Sequence, residues 1–316
     1  MQELVNLRKI CGETLEKLGG KHKNLIVLDS DLGNQLYSLN FAKSYPERHF
    51  TFAETEELIL SAAAGFTVRK KITFVCAEAS KLLGKAGDIL RNAIIYPNLN
   101  VKILLTGCGI SNIEEGPIKC SFDDLAQLLP LPNLKIFSPA DQHDLRAILE
   151  FTVTDYAPTI IRIPKLPTGN YLDQNYLFQP GEPLLLQRGD QIALVTCSGL
   201  LNEVSAAAKE LGQKGISAAV IHLNSLKPLN ENNLANLLSQ YEMIAIIEDH
   251  FQRGGLTHLV GAAMVKSPNQ IFTPSKLIPI ALQQYPESSR YPDALTRSGL
   301  SSKAIYEKIR DAWTQH

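Results

Sequence analysis

The stretch HFTFAETEELILSAAAGF, residues 49–66, sets Glu54, Glu56 and Glu57 within four positions, directly ahead of a run of small and apolar residues. Two roles suit such a cluster. Carboxylates in a first helical turn are stabilised by the macrodipole, and Thr55 has the right chemistry for an N-cap. Alternatively, one of the acids is buried and holds a proton for chemistry, because a carboxyl in an apolar setting releases its proton less readily than in water. The stretch alone leaves both open. Other catalytic patterns find little support. Gly107 and Gly109 form a GxG with no third Gly at dinucleotide-binding spacing, and the sequence holds neither a GxxxxGK[ST] loop nor a GxSxG elbow. His143, His222, His250 and His258 show no metal-ligand spacing. Cys11, Cys76, Cys108, Cys120 and Cys197 include no CxxC pair and read as reduced, inert thiols in or beside apolar strands.

The elements that must position such residues follow from the apolar runs. NLIVLDSDLG, ITFVCAE, VKILLTGCG, KIFSPA and APTIIRIPK are short, nearly continuous apolar segments, each delivering a loop at its C-terminal end. Helical stretches such as LGKAGDILRNAIIY and DDLAQLLPL lie between them. This alternation predicts parallel strands covered on both faces. LPTGNYLDQNYLFQPGEP reads as a linker, and a second unit of the same kind follows with QIALVTCSG, LLNEVSAAAKELGQKG, ISAAVIHLNSLKPLN, MIAIIEDH, GGLTHLVGAAMVK and KLIPIAL. The expected fold is α/β, with two doubly wound, mainly parallel sheets: one domain over 1–170, a linker over 171–187 and a smaller domain over 188–316. Binding loops are expected at strand C-termini, after DSD, CAE, TGCG and IEDH.

Bulk composition narrows the class. The 316 residues, 45% hydrophobic and 20% charged, suit a soluble protein with two cores. A net charge of -1 gives no general attraction to nucleic acid or anionic membrane, and no apolar run reaches the ~18 residues of a membrane span. The N-terminal MQELVNLRKICGETLEKLGG is an amphipathic helix pattern rather than a signal peptide, so a cytoplasmic location is expected.

The order of eight segments, VLDSDLG, YPERHF, AETEELILSAAAGF, GISNIEEGP, LPLPNLKIFSPAD, PTIIRIPK, SLKPL and IIEDHFQRGGL, resembles the C-terminal half of transketolase. That half comprises a pyrimidine-binding domain and the transketolase C-terminal domain. The Gly-Asp-Gly motif and later Asn with which the family's other half holds Mg²⁺ and cofactor diphosphate do not occur here. The resemblance therefore implies the small subunit of a split, two-chain transketolase, completed by a large subunit in a 2+2 assembly. Thiamine diphosphate and Mg²⁺ are the implied cofactors, with diphosphate and metal held mainly by the partner and no metal ligands on this chain. The implied reaction moves a two-carbon ketol unit between a ketose and an aldose.

Residue by residue, the resemblance aligns Glu56 with the acid that hydrogen-bonds N1′ of the cofactor's aminopyrimidine. Glu57 stands where the family often has Gln, and Glu54 is left as the capping member. Arg8, Asp31, Glu115, Lys119, Arg162 and Lys165 align with substrate-side positions, and His250 with a structural motif. Three departures accompany this. The family's Asp-Gly-Pro-Thr-His appears as Glu115-Gly116-Pro117-Ile118-Lys119, so a cation that only donates replaces a neutral ring. Aromatics that stack on the aminopyrimidine are missing after Phe74; depending on register, Glu78 and Lys81, or Ala79 and Leu82, take their places. Leu82 or Leu83 is left to pack on the ring. Gln35 stands near a position that often holds a phosphate-contacting Ser. The departures motivate two alternatives: a split thiamine enzyme transferring an acetyl or other acyl unit onto a specialised sugar, and a non-catalytic scaffold subunit.

Overall fold

A computed structural model describes residues 4–30, 36–53, 55–197, 199–266 and 276–315. The expectations for Asp31, Gln35 and Glu54 lie outside the described residues. The first half contains β1 (Leu25–Asp29), β2 (His49–Thr51), β3 (Ile72–Glu78), β4 (Val101–Thr106), β5 (Lys135–Phe137) and β6 (Thr159–Arg162). Its helices are α1 (Leu7–Lys21), α2 (Ser38–Ser44), α3 (Glu56–Val68), α4 (Ala79–Ile89), α5 (Asp124–Leu128) and α6 (Gln142–Thr154). The second half contains β7 (Leu184–Gln187), β8 (Ile192–Thr196), β9 (Ala218–His222), β10 (Ser225–Lys227), β11 (Met243–Phe251) and β12 (Lys276–Leu282). Its helices are α7 (Leu201–Gln213), α8 (Glu231–Leu238), α9 (Leu256–Val265), α10 (Tyr291–Arg297) and α11 (Ser302–Thr314). Among the described residues, no helix is long and apolar enough to cross a membrane.

The strands explain their own placement. β1, β3, β4 and β6 are buried at every position, which a strand covered by helices on both faces requires. They form the centre of a sheet ordered β10-β5-β6-β4-β3-β1-β2, and a second sheet runs β12-β11-β8-β9-β7. Among the described residues, the pairings between these strands are parallel except at two edges, β10 with β5 and β7 with β9. The expected α/β architecture with two mainly parallel sheets is therefore present. Helix α1 shows how local signals support it. The Asn6 side chain accepts the backbone N–H groups of Arg8 and Lys9 at the helix start. Leu7, the adjacent Ile10 and Cys11, Leu15 and Leu18 recur every three to four residues and bury one face.

Two details differ from the sequence reading. The stretch read as a linker ends in β7, which pairs antiparallel with β9. More consequentially, SLKPL is not only a turn: β10 crosses over and completes the first sheet beside β5. Three residues carry too little periodicity to announce a strand. The apolar interior is continuous across this junction, where Ile136 of β5 shares a cluster with Leu223, Leu226 and Leu234. Polar contacts reinforce it. Ser138 N–H donates to Asn224 O at 2.8 Å, and the His222 ring Nε2 sits 2.9 Å from Ser138 O.

Candidate functional site

Glu56 is the first residue of α3, and the structure separates it from its neighbours. Glu57 points to solvent, whereas Glu56 is 1% exposed. Thr55 occupies the N-cap position but makes no side-chain cap bond. Among the described residues, neither carboxylate oxygen of Glu56 has a hydrogen-bond partner. The acid therefore takes part in no hydrogen-bonded cap, although it stands in the first turn, where the macrodipole favours it. A buried polar group without a partner is costly, and in native proteins it points to strain, function or an unseen ligand. Lys85 Nζ approaches Oε2 to 3.7 Å from α4, across the α3–α4 contact, and its side chain stays half exposed.

Helix α4, which carries Lys85, starts at a second buried acid. Glu78 closes β3, stands at the N-cap of α4 and is 1% exposed. It accepts a hydrogen bond from Ser80 Oγ at 3.0 Å and faces Lys119 Nζ at 3.6 Å. Seven residues on, roughly 10 Å along the helix, stands Lys85. No aromatic residue occurs in α4. Leu82 and Leu83, the residues left by the sequence reading to pack on a ring, are 0% and 7% exposed and belong to the apolar core with Ile59, Leu60 and Ala63.

Beyond Glu78 the structure gathers four of the sequence-derived candidates. Arg8, 5% exposed, donates from Nη2 to Asn112 Oδ1 at 3.2 Å. Burial, foremost, lowers its guanidinium to about 10, opposed by Glu115, Cys108, Glu78 and Tyr37, so it keeps its charge at neutral pH. Lys165 Nζ donates to Glu115 Oε1 at 2.6 Å. That hydrogen bond, foremost, holds the Glu115 carboxyl below its usual range; Arg8 and Lys119 add to the effect, and partial burial opposes it. Arg8, Lys119 and Lys165 thus face Glu78 and Glu115 where β3, β4 and β6 end. The C-terminal ends of parallel strands are where this architecture presents ligands.

The loop carrying Glu115 and Lys119 is fixed by its glycines and by the second lobe. Gly109 has φ +64°, and a Cβ there would meet Asp249 Oδ2 at 1.9 Å, so only Gly admits that carboxylate. Ile110 N–H donates to the same oxygen at 3.3 Å. Gly107, at φ +73°, leaves room for the carbonyl of Lys119. Tyr291 N–H donates to Glu114 Oε1 at 3.1 Å.

Arg162 lies apart from this group. It is 3% exposed and paired with Asp124, Nε to Oδ2 at 2.8 Å and Nη2 to Oδ1 at 3.3 Å, with Cys197 Sγ 3.8 Å from Nη1. Each of its three nitrogens thus reaches an internal partner, Asp124 or, in the second lobe, Cys197. His250 is also enclosed, with Nδ1 2.5 Å from Phe251 O, beside Glu248, which accepts the Leu256 and Thr257 N–H groups at the start of α9. Burial pushes the Cys11, Cys120 and Cys197 thiols up to about 12, and all five cysteines are buried and free. Sequence reading missed Lys85, Asn112 and the Glu78–Lys119 pair. Lys85 had one usable signal: it repeats Lys81 four residues on, along a helix face that carries no aromatic.

Comparison with known proteins adds the following. The model of the transketolase pyrimidine binding domain matches residues 3–169, and that of the transketolase C-terminal domain matches residues 181–305. A Methanocaldococcus jannaschii protein named as a transketolase C-terminal section is 29% identical over 309 residues, covering 96% of this chain and 95% of its own. Human transketolase is 27% identical over 311 residues, which cover 98% of this chain and 49% of that protein. The chain thus spans nearly all of the archaeal relative and about half of the vertebrate ones. Among solved structures, one described as a split gene transketolase, inactive beta4 tetramer, matches with TM-score 0.87 at 29% identity over 98% of both chains. Transketolase from Pichia stipitis, in complex with sedoheptulose-7-phosphate, shares the fold with TM-score 0.81 at 17% identity, covering 98% of this chain and 46% of that one.

Proposed function

The chain belongs to the transketolase family, with its pyrimidine-binding and C-terminal domains, and on that premise we propose that it is the small subunit of a two-chain, thiamine-diphosphate-dependent transketolase. The observation that carries this reading is Glu56, a buried acid whose two oxygens lack hydrogen-bond partners. An aminopyrimidine nitrogen sharing a proton with that carboxylate would supply what is missing, so the residues present fit this part of the cofactor. When bound, the cofactor supplies a nucleophilic thiazolium carbon and an electron sink for moving a two-carbon unit. Glu56 would hold the proton at N1′ and so favour the imino form of the neighbouring amino group, the base that the reaction needs. Arg8, Glu115, Lys119 and Lys165 would orient the sugar by charge and hydrogen bonds. Among the described residues no group of three or more His, Cys, Asp or Glu is arranged to hold a metal ion. On the family resemblance, Mg²⁺ and the diphosphate are assigned to a large partner chain carrying the Gly-Asp-Gly motif.

A second reading draws on the acids around the cations. Lys119 and Lys165 already face Glu78 and Glu115, so a substrate phosphate would compete with two carboxylates. That arrangement also suits a split thiamine enzyme that passes an acyl unit to a sugar without phosphate at this end. Reconstitution with a large chain carrying the Gly-Asp-Gly motif tests both. Ketol transfer that falls at least about a hundredfold in Glu56→Gln supports the first reading; a pyruvate-derived acetyl product with no ketol transfer supports the second. Equal activity in wild type and variant would remove Glu56 from catalysis and leave the scaffold alternative.

A further inference from the structure

The residue that approaches Glu56 is chemically unlike a ring-binding wall. Helix α4 turns Leu82 and Leu83 into the core and leaves Lys85 beside the acid, with Nζ 3.7 Å from Oε2. That separation is an ion pair without a hydrogen bond, and the lysine side chain is 52% exposed against 1% for Glu56. The contact is therefore electrostatic, loosely held on one side and fully enclosed on the other.

Resting on the reading above, we propose that Lys85 is a resident counter-ion of Glu56, which occupies the carboxylate before the aminopyrimidine docks and swings out when it does. The reasoning is one of competition. A carboxylate that shares a proton with a ring nitrogen directs its lone pairs and charge at that nitrogen, whereas an ammonium within 4 Å draws the same oxygens toward itself. The ring and Lys85 are rivals for one acceptor. Lys85 can yield, because its stem is unbranched, rotatable and half in water, and its charge is readily rehydrated. Glu56 cannot follow it into water, since its own side chain is only 1% exposed. The pair thus partly offsets the charge of the acid in the unpartnered chain at the expense of cofactor affinity, and Lys85 acts as a positioning residue that sets how tightly the site takes the ring.

Calorimetry of the two-chain complex with thiamine diphosphate and Mg²⁺ tests this with four variants. Lys85→Met is expected to bind about fivefold tighter than wild type, which corresponds to about 1 kcal/mol, and Lys85→Arg to bind like wild type. The gain is expected to vanish in the Glu56→Gln/Lys85→Met double variant, because the coupling runs through the acid. A lysine that merely supported the fold would not yield tighter binding on removal. Wild-type or weaker binding by Lys85→Met, with binding impaired in Glu56→Gln, overturns this proposal and leaves the functional reading standing. Unimpaired binding by Glu56→Gln overturns the functional reading itself.

Discussion

Two carboxylates open helices in the first lobe and meet opposite surroundings. Asp124 begins α5, is fully buried, and has both oxygens taken by the fork of Arg162. Glu56 begins α3, is equally buried, and accepts no hydrogen bond. Each sits at the first helical position, where the macrodipole favours negative charge, so the dipole does not distinguish them. The difference lies in geometry. A bidentate guanidinium satisfies Asp124 internally, while a half-exposed lysine at 3.7 Å leaves the oxygens of Glu56 able to accept from something else. One acid is saturated within the fold, and the other keeps both oxygens without a hydrogen-bond donor.

The comparison breaks most sharply at the saturated pair. Arg162→Met leaves Asp124 buried without its partner and is expected to cost about 3–5 kcal/mol of stability in urea unfolding. A loss below about 1 kcal/mol would show that Asp124 is satisfied elsewhere and would blur the contrast. Glu56→Gln is expected to behave in the opposite way, retaining the stability of the isolated chain while losing activity in the assembled enzyme. A marked fall in its urea midpoint would return the acid to a structural role.

A third carboxylate stands between these extremes. Asp144 is pushed up to about 7, by burial foremost and by the charge of Asp141, against hydrogen bonds donated by Ala140 N–H and the Asn224 amide. Its folded-state proton is kept to about pH 7, while the unfolded chain releases it near 3.8. The folded state binds more protons across that window, so this group's contribution to stability is present at the acid end and is lost as pH rises toward 7. Asp144→Asn removes the titration and is expected to flatten the stability profile there; an unchanged slope would refute it. The smallest effect belongs to the partly exposed Lys165–Glu115 pair. Lys165→Ala is expected to change stability by less than about 1 kcal/mol, with a raised KM for sugar and little change in kcat.

How much of this was legible in the sequence follows from distance along the chain. The central strands were readable because their apolar runs are continuous, and the acidic cluster stood out because three acids crowd one helix start, although only the resemblance singled out Glu56 within it. The Arg8, Glu115, Lys119 and Lys165 group could be named only through resemblance, since β3, β4 and β6 must fold before their loops meet. The partners that decide roles were hidden. Asp124 lies 38 residues from Arg162, and nothing local ties Lys85 to Glu56, 29 residues earlier. Strand β10 was invisible for a related reason: its pairing belongs to β5, far upstream.

That borrowed strand has a practical consequence for anyone dissecting the molecule. A fragment ending before Ser225 would leave the ladder of β5 without its flanking partner, presenting bare amide and carbonyl groups for adhesion to whatever strand drifts past. The first lobe is therefore a poor candidate for excision, and truncations intended to simplify crystallisation or partner mapping should retain the chain through at least Lys227.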